Sequence, residues 1–127
     1  MISAYLAAVQ ALLERFAATN FVADARLNSE SQPGEQAYLS GVIVFIDGSD
    51  LHFSEFLDAN EAVIQKLMYS YHYQDQNKQL ILRYDNARHR PQLPYTEHKH
   101  SSDSIIQHSA PTLEIILEEI LFTAGLV

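Results

Sequence analysis

Between residues 38 and 86, runs that alternate apolar and polar side chains or are rich in β-branched and aromatic residues are separated by short polar stretches where a tight turn fits. YLSGVIVFI (38–46) is rich in β-branched and aromatic residues, DGSD (47–50) is turn-like, and LHFSEFLD (51–58) alternates again, which predicts a hairpin. VIQKLMYSYHYQ (63–74), DQNK (75–78) and QLILRYDN (79–86) repeat the arrangement. A period of two fixes which face each side chain takes. In the second run it predicts Leu67, Tyr69, Tyr71 and Tyr73 on one face and Lys66, Met68, Ser70 and His72 on the other.

The flanks have a different period. Ile2, Leu6, Val9, Leu12, Leu13 and Phe16 recur at spacings of three and four, which predicts an amphipathic helix over 2–18. FVADARLN (21–28) then predicts a first strand, and Pro33 and Gly34 end it in a loop. APTLEIILEEILFTAG (110–125) predicts a closing helix, with Ser109 as N-cap, Pro111 in the first turn and Leu113, Ile116, Leu117 and Ile120 on one stripe. Residues 87–110 contain Pro91 and Pro94 and little periodicity, so a long irregular segment is expected. The fold class is α+β: an antiparallel meander sheet of about five strands with an N-terminal and a C-terminal helix. Residues 1–127 are expected to form a single domain.

The chain has no cysteine, which removes disulfides, thiolate metal sites and thiol nucleophiles. No run approaches the roughly 20 apolar residues of a membrane span, and the N-terminus lacks a basic lead before an apolar stretch, so the expectation is no membrane and a cytoplasmic location. A formal charge of −8 opposes whole-surface affinity for nucleic acid. The charges are unevenly spread. Lys78, Arg83, Arg88, Arg90 and Lys99 fall between 78 and 100, with Asp85 and Glu97 as the acids there, so one basic island sits in an acidic protein.

Within that island HKH (98–100) spaces two imidazoles at i and i+2, on one side of an extended chain. With His89, Asp85 or Glu55 as third ligand this pair would suit a metal, although Lys99, Arg88 and Arg90 oppose a dication. Without a metal, the same residues supply acid–base histidines and cations to stabilise phosphate charge, the kit for RNA cleavage by a 2′-hydroxyl. The bland reading has Arg83 paired with a sheet carboxylate and Arg88, His89 and Arg90 solvating a loop. Tyr69, Tyr71 and Tyr73 read as a packed sheet face and His52 and His72 as strand surface residues. Glu55, a carboxylate inside the apolar FSEFL, must be solvated or paired, with Arg83 or a histidine as expected partners.

DGSDLHFSE (47–55), YHYQ (71–74), LILRYDNARH (80–89) and HKH (98–100), in that order, resemble the TumE family of toxins of toxin–antitoxin pairs. The resemblance runs from the first helix to LEIILEEI (113–120) and is most specific in RYDN plus HKH. It implies Glu55, Arg83, Asp85, Asn86, His89, His98, Lys99 and His100 as site residues. Arg88 stands where the family has proline, Arg90 where it has a second histidine, and Tyr95-Thr96-Glu97 precede His98. The replaced histidine weakens a multi-histidine metal site, and the arginines favour phosphate.

The leading expectation is therefore a toxin that cleaves RNA without a metal or other cofactor. His89, His98 and His100 would act as acid and base, Arg83 and Lys99 as phosphate stabilisers, and Asp85 and Glu55 as orienting groups, with Asn86 in the same constellation. A cognate antitoxin and RNA are the expected partners, and a homo-oligomer is compatible with the sequence. The alternative is a non-catalytic binding module whose basic loop docks nucleic acid or an acidic protein.

Overall fold

A computed structural model of the chain describes residues 1–60, 62–88 and 92–126. Helix α1 (Ile2–Ala17) precedes strands β1 (Val22–Gln32), β2 (Gln36–Phe45), β3 (Asp50–Asp58), β4 (Gln65–Gln74), β5 (Leu80–Asp85), β6 (His98–Ser101) and β7 (Ile105–Gln107), and helix α2 (Leu113–Thr123) follows. The strands form one antiparallel sheet in the order of the sequence, β1 to β7, the meander that consecutive hairpins dictate.

Alternation decides the two faces. Leu39, Ile43 and Phe45 of β2, Leu51, Phe53 and Leu57 of β3, Tyr69, Tyr71 and Tyr73 of β4, and Leu82 and Tyr84 of β5 are buried in one cluster. Val9, Leu12 and Leu13 of α1 and Ile116, Leu117 and Ile120 of α2 join it. Both helices thus cover one face of the sheet, and the opposite face carries the half-buried and exposed members of β2 and β3. At the centre of β2, Gly41 is opposite Phe53, and a Cβ there would lie 2.4 Å from the Phe53 ring. Glycine is required by that close approach.

Seven strands are present where about five were expected. The additional pair, β6 and β7, lies inside the segment read as irregular. HKHS and IIQ are too short to show periodicity, yet Ser101 N–H donates to the Ser104 carbonyl at 2.9 Å and closes a turn between them. The cap of α2 is Thr112 rather than Ser109. Thr112 has extended backbone and its hydroxyl accepts the Ile115 N–H at 3.2 Å, so Pro111 precedes the helix instead of entering it.

The predicted facing of β4 fails at its start. A register shift between Phe56 and Leu57 of β3 pairs Leu57 with Lys66 and Phe56 with Met68. This bulge turns Lys66 to the helix-covered face, where its Nζ donates to the Pro111 carbonyl at 2.8 Å, and leaves Leu67 exposed.

Candidate functional site

The sheet splits the expected site residues between its two faces. Glu55 is fully buried under α1, not beside Arg83 or a histidine. It accepts hydrogen bonds from the hydroxyls of Tyr5, at 2.5 Å, and Tyr71, and Lys66 Nζ lies 3.3 Å from its Oε2. Burial, followed by the Glu55 charge and hydrogen bond, pushes both tyrosine hydroxyls well above their ordinary range, so they remain donors. This cluster satisfies a buried carboxylate within the core.

Lys99 also points to the helix-covered face, as the residue between His98 and His100 must. Its Nζ is 2.7 Å from Glu119 Oε2 of α2. Burial acts to lower its pKa, but Glu119 and Tyr84 outweigh it and raise the net value. Asn86 serves the backbone: its Oδ1 accepts the Tyr69 N–H at 3.1 Å and its Nδ2 donates to the Leu67 carbonyl at 3.0 Å, extending the β4 edge.

Arg83, Asp85, His98 and His100 converge on the other face. The register pairs Asp85 with His98 and Arg83 with His100, and the period of two then sends all four side chains the same way. Asp85 and His98 are buried. Asp85 Oδ2 accepts from Arg83 Nε at 2.6 Å and lies 3.8 Å from His100 Nε2, while Oδ1 accepts the Ala87 N–H at 3.0 Å. The rings of His98 and His100 meet edge to face, centroids 4.7 Å apart. His89 and Arg90 lie outside the described residues.

His98 is held at both ring nitrogens. Nδ1 is 2.7 Å from the Thr96 carbonyl, which can only accept, so Nδ1 carries a proton. Nε2 is 2.8 Å from Asp85 Oδ1, a second acceptor. Asp85, His98 and His100 offer ligand atoms within 4.8 Å of one another, and the Thr96 carbonyl orients His98 as outer-sphere partners orient metal-bound imidazoles. These three residues could hold a divalent metal.

Sequence reasoning assigned His72 to the strand surface, and the structure places it beside Arg83. Its Nδ1 is 3.2 Å from Arg83 Nη1, and its Nε2 is 3.2 Å from Gln74 Oε1. The guanidinium can only donate, so Nδ1 is the acceptor and the ring is neutral, with its proton on Nε2. Burial, then the Arg83 charge, holds its pKa below the ordinary value. Counting pairs back from the DQNK turn would have set His72 opposite Ile81; a register shift between Tyr73 and Gln74 is what brings it opposite Arg83.

Arg83 and His72 line one end of an open groove of about 820 Å³ that crosses this face from β1. Arg26, Lys78, Arg83, His52 and His72 are among its walls, and among the described residues no carboxylate is. In a chain with 16 Asp and Glu against 8 Lys and Arg, this groove gathers Arg26, Lys78 and Arg83 on one face.

A family model described as Toxin TumE matches residues 10–123 of the chain. The chain belongs to the TumE toxin family. It carries the family's toxin role, and the match spans α1 from its middle through the end of α2. Neither the curated proteins nor the solved structures contain a match. Among the described residues no helix is long and apolar enough to cross a membrane. The RYDN and HKH segments, on which the resemblance read from the sequence is most specific, bring Arg83, Asp85, His98 and His100 together.

Proposed function

We propose that this TumE-family toxin cleaves RNA at the phosphodiester bond, using a His72–Arg83–His100 constellation on the open face, and that a cognate antitoxin restrains it. The observation that supports the reading most is the register: His72, Arg83 and His100 stand directly opposite one another on β4, β5 and β6. A guanidinium flanked by two imidazoles is the arrangement that in-line transfer at phosphorus needs, with base and acid on opposite sides of a stabilised phosphate.

Arg83 carries 34 % side-chain exposure and His100 20 %, so both are reachable, whereas Asp85 and His98 lie beneath them. When Arg83 turns its Nη1 to a phosphate oxygen, the Nδ1 lone pair of neutral His72 is released. That nitrogen takes the 2′-hydroxyl proton as the 2′ oxygen bonds to phosphorus. The bond from phosphorus to the 5′ oxygen breaks and His100 protonates the departing oxygen, which yields a 2′,3′-cyclic phosphate and a 5′-hydroxyl end. Asp85 and His98 are positioning residues: the carboxylate holds Arg83 Nε, and His98 holds the carboxylate.

A second reading rests on the His98 geometry. A divalent metal held by Asp85, His98 and His100, whose ligand atoms lie within 4.8 Å of one another, would activate water for hydrolysis instead. Incubating the purified, untagged protein with total RNA, with and without a chelator, tests both. The metal-free reading expects cleavage that survives the chelator, cyclic-phosphate ends, and loss of cleavage in Arg83→Ala and His100→Ala proteins that still fold. Cleavage abolished by the chelator and restored by a metal favours the second reading, and no cleavage under either condition defeats both.

A further inference from the structure

The open face is ordered in rows that run across the strands, because residues paired in register share a line and a face. One row reads Arg26, Val42, His52, His72, Arg83, His100, from β1 to β6. Five of those six positions are basic or imidazole. The next row reads Asn28, Ser40, Ser54, Ser70, then Asp85 and His98, so its middle is three serines. The third reads Glu30, Tyr38, Phe56, Met68 from β1 to β4, with Tyr38 and Met68 exposed.

Small serines between taller rows are what create the groove. Its floor can hydrogen-bond, Arg26 and Arg83 stand on one side, and Tyr38 lines the other, with Phe56 and Met68 continuing the Tyr38 row beyond it. Six strands at about 4.8 Å spacing give the basic row a span of about 24 Å. The acids near it are Asp24, 2.9 Å from Arg26, Asp50, 3.3 Å from His52, and Asp85, all flanking the row rather than lining the groove.

We infer that this face binds RNA as a single strand, with phosphates along the row from Arg26 to His100 and bases turned across the serine floor toward Tyr38, Phe56 and Met68. A duplex keeps its bases stacked on each other and has no use for the Tyr38 row. A single strand does, because an unpaired base stacks on an aromatic side chain while its phosphate lies on a cation. The row also explains direction: the strand runs toward His72, Arg83 and His100, where the proposed cleavage occurs. The inference rests on RNA being the target and adds the form in which it is held.

Binding separates from cleavage with a probe that cannot be cut. A fluorescein-labelled 12-nucleotide RNA carrying 2′-O-methyl groups lacks the attacking hydroxyl, and fluorescence anisotropy with the full chain reads its affinity. Arg26→Gln and Tyr38→Ala change exposed side chains away from the cleavage residues. The expected result is binding that weakens with salt, a salt slope reduced by about 0.7 in the Arg26 variant, and affinity about tenfold weaker in the Tyr38 variant. Unlabelled duplex of the same sequence should compete poorly, and poly-glutamate poorly too. No binding, unchanged affinity in both variants, or equal competition by duplex or poly-glutamate would overturn the inference. If the probe binds as expected but unmodified RNA is never cut, the cleavage reading fails and the single-strand site stands. If RNA is cut but Arg26→Gln and Tyr38→Ala leave probe binding unaltered, the site assignment fails alone.

Discussion

Removing Lys66 should unmask the architectural role of Glu55. In Lys66→Met the Glu55 carboxylate, with no solvent exposure, loses its counter-charge 3.3 Å away but keeps the hydroxyls of Tyr5 and Tyr71. Breaking a buried pair from one side costs about 3–5 kcal/mol. The two retained hydroxyl bonds reduce this, and the lost bond from Lys66 to the Pro111 carbonyl adds about 1 kcal/mol. The net expectation is about 3–4 kcal/mol, read as a lower urea midpoint at unchanged slope. Adding Glu55→Gln removes the stranded charge while its amide can still bond both tyrosines, so the double variant should regain about half of the loss. Glu55→Gln alone should keep its toxicity per folded molecule. A Lys66→Met cost below about 1 kcal/mol, or a well-folded Glu55→Gln protein without toxicity, would refute the assignment of Glu55 to the core.

Further outcomes follow from the same geometry. Expression of Arg83→Ala, His72→Ala or His100→Ala without antitoxin should relieve growth arrest, with cleavage of purified RNA reduced by roughly 10²–10⁴ for the histidines. His98→Ala should also relieve it, by releasing Asp85 from the contact that holds it; near-native circular dichroism in each variant is the control. Because the folded-state pKa of His72 lies below its ordinary 6.5, the unfolded chain binds more protons as pH falls below that value. Stability should therefore decline below pH 6.5 through this group, and His72→Gln should flatten that part of the urea-midpoint profile. Gly41→Ala, which drives a methyl into the Phe53 ring and the Arg26 carbonyl 2.6 Å away, should cost about 1–3 kcal/mol in the same assay.

Much of the frame was legible because its signals are local. The helix over Ile2–Ala17 and the hairpins around DGSD and DQNK declare themselves by period and turn chemistry, and the TumE resemblance is matched by the family model over residues 10–123. HKH at i and i+2 correctly implied that His98 and His100 share a face, and the same rule, applied to Lys99, sends it to Glu119. What stayed hidden was non-local. A bulge opposite Lys66 depends on the partner strand, so the expected facing of Lys66 and Leu67 could not be corrected from their own segment. Glu55 was rightly read as needing a partner, but Tyr5 is 50 residues away in another element. His72 and Arg26 acquire meaning only once strand order and register are known, since neither neighbours the basic island in sequence.

The central claim is that Arg83, between His72 and His100, governs the cutting of RNA on the open face. Its most direct test is the end chemistry of RNA incubated with wild-type and Arg83→Ala protein in the presence of a chelator. The account predicts 2′,3′-cyclic phosphate and 5′-hydroxyl ends from the wild type and none above background from the folded variant. Intact RNA with the wild type, or identical cleavage by Arg83→Ala, would contradict it.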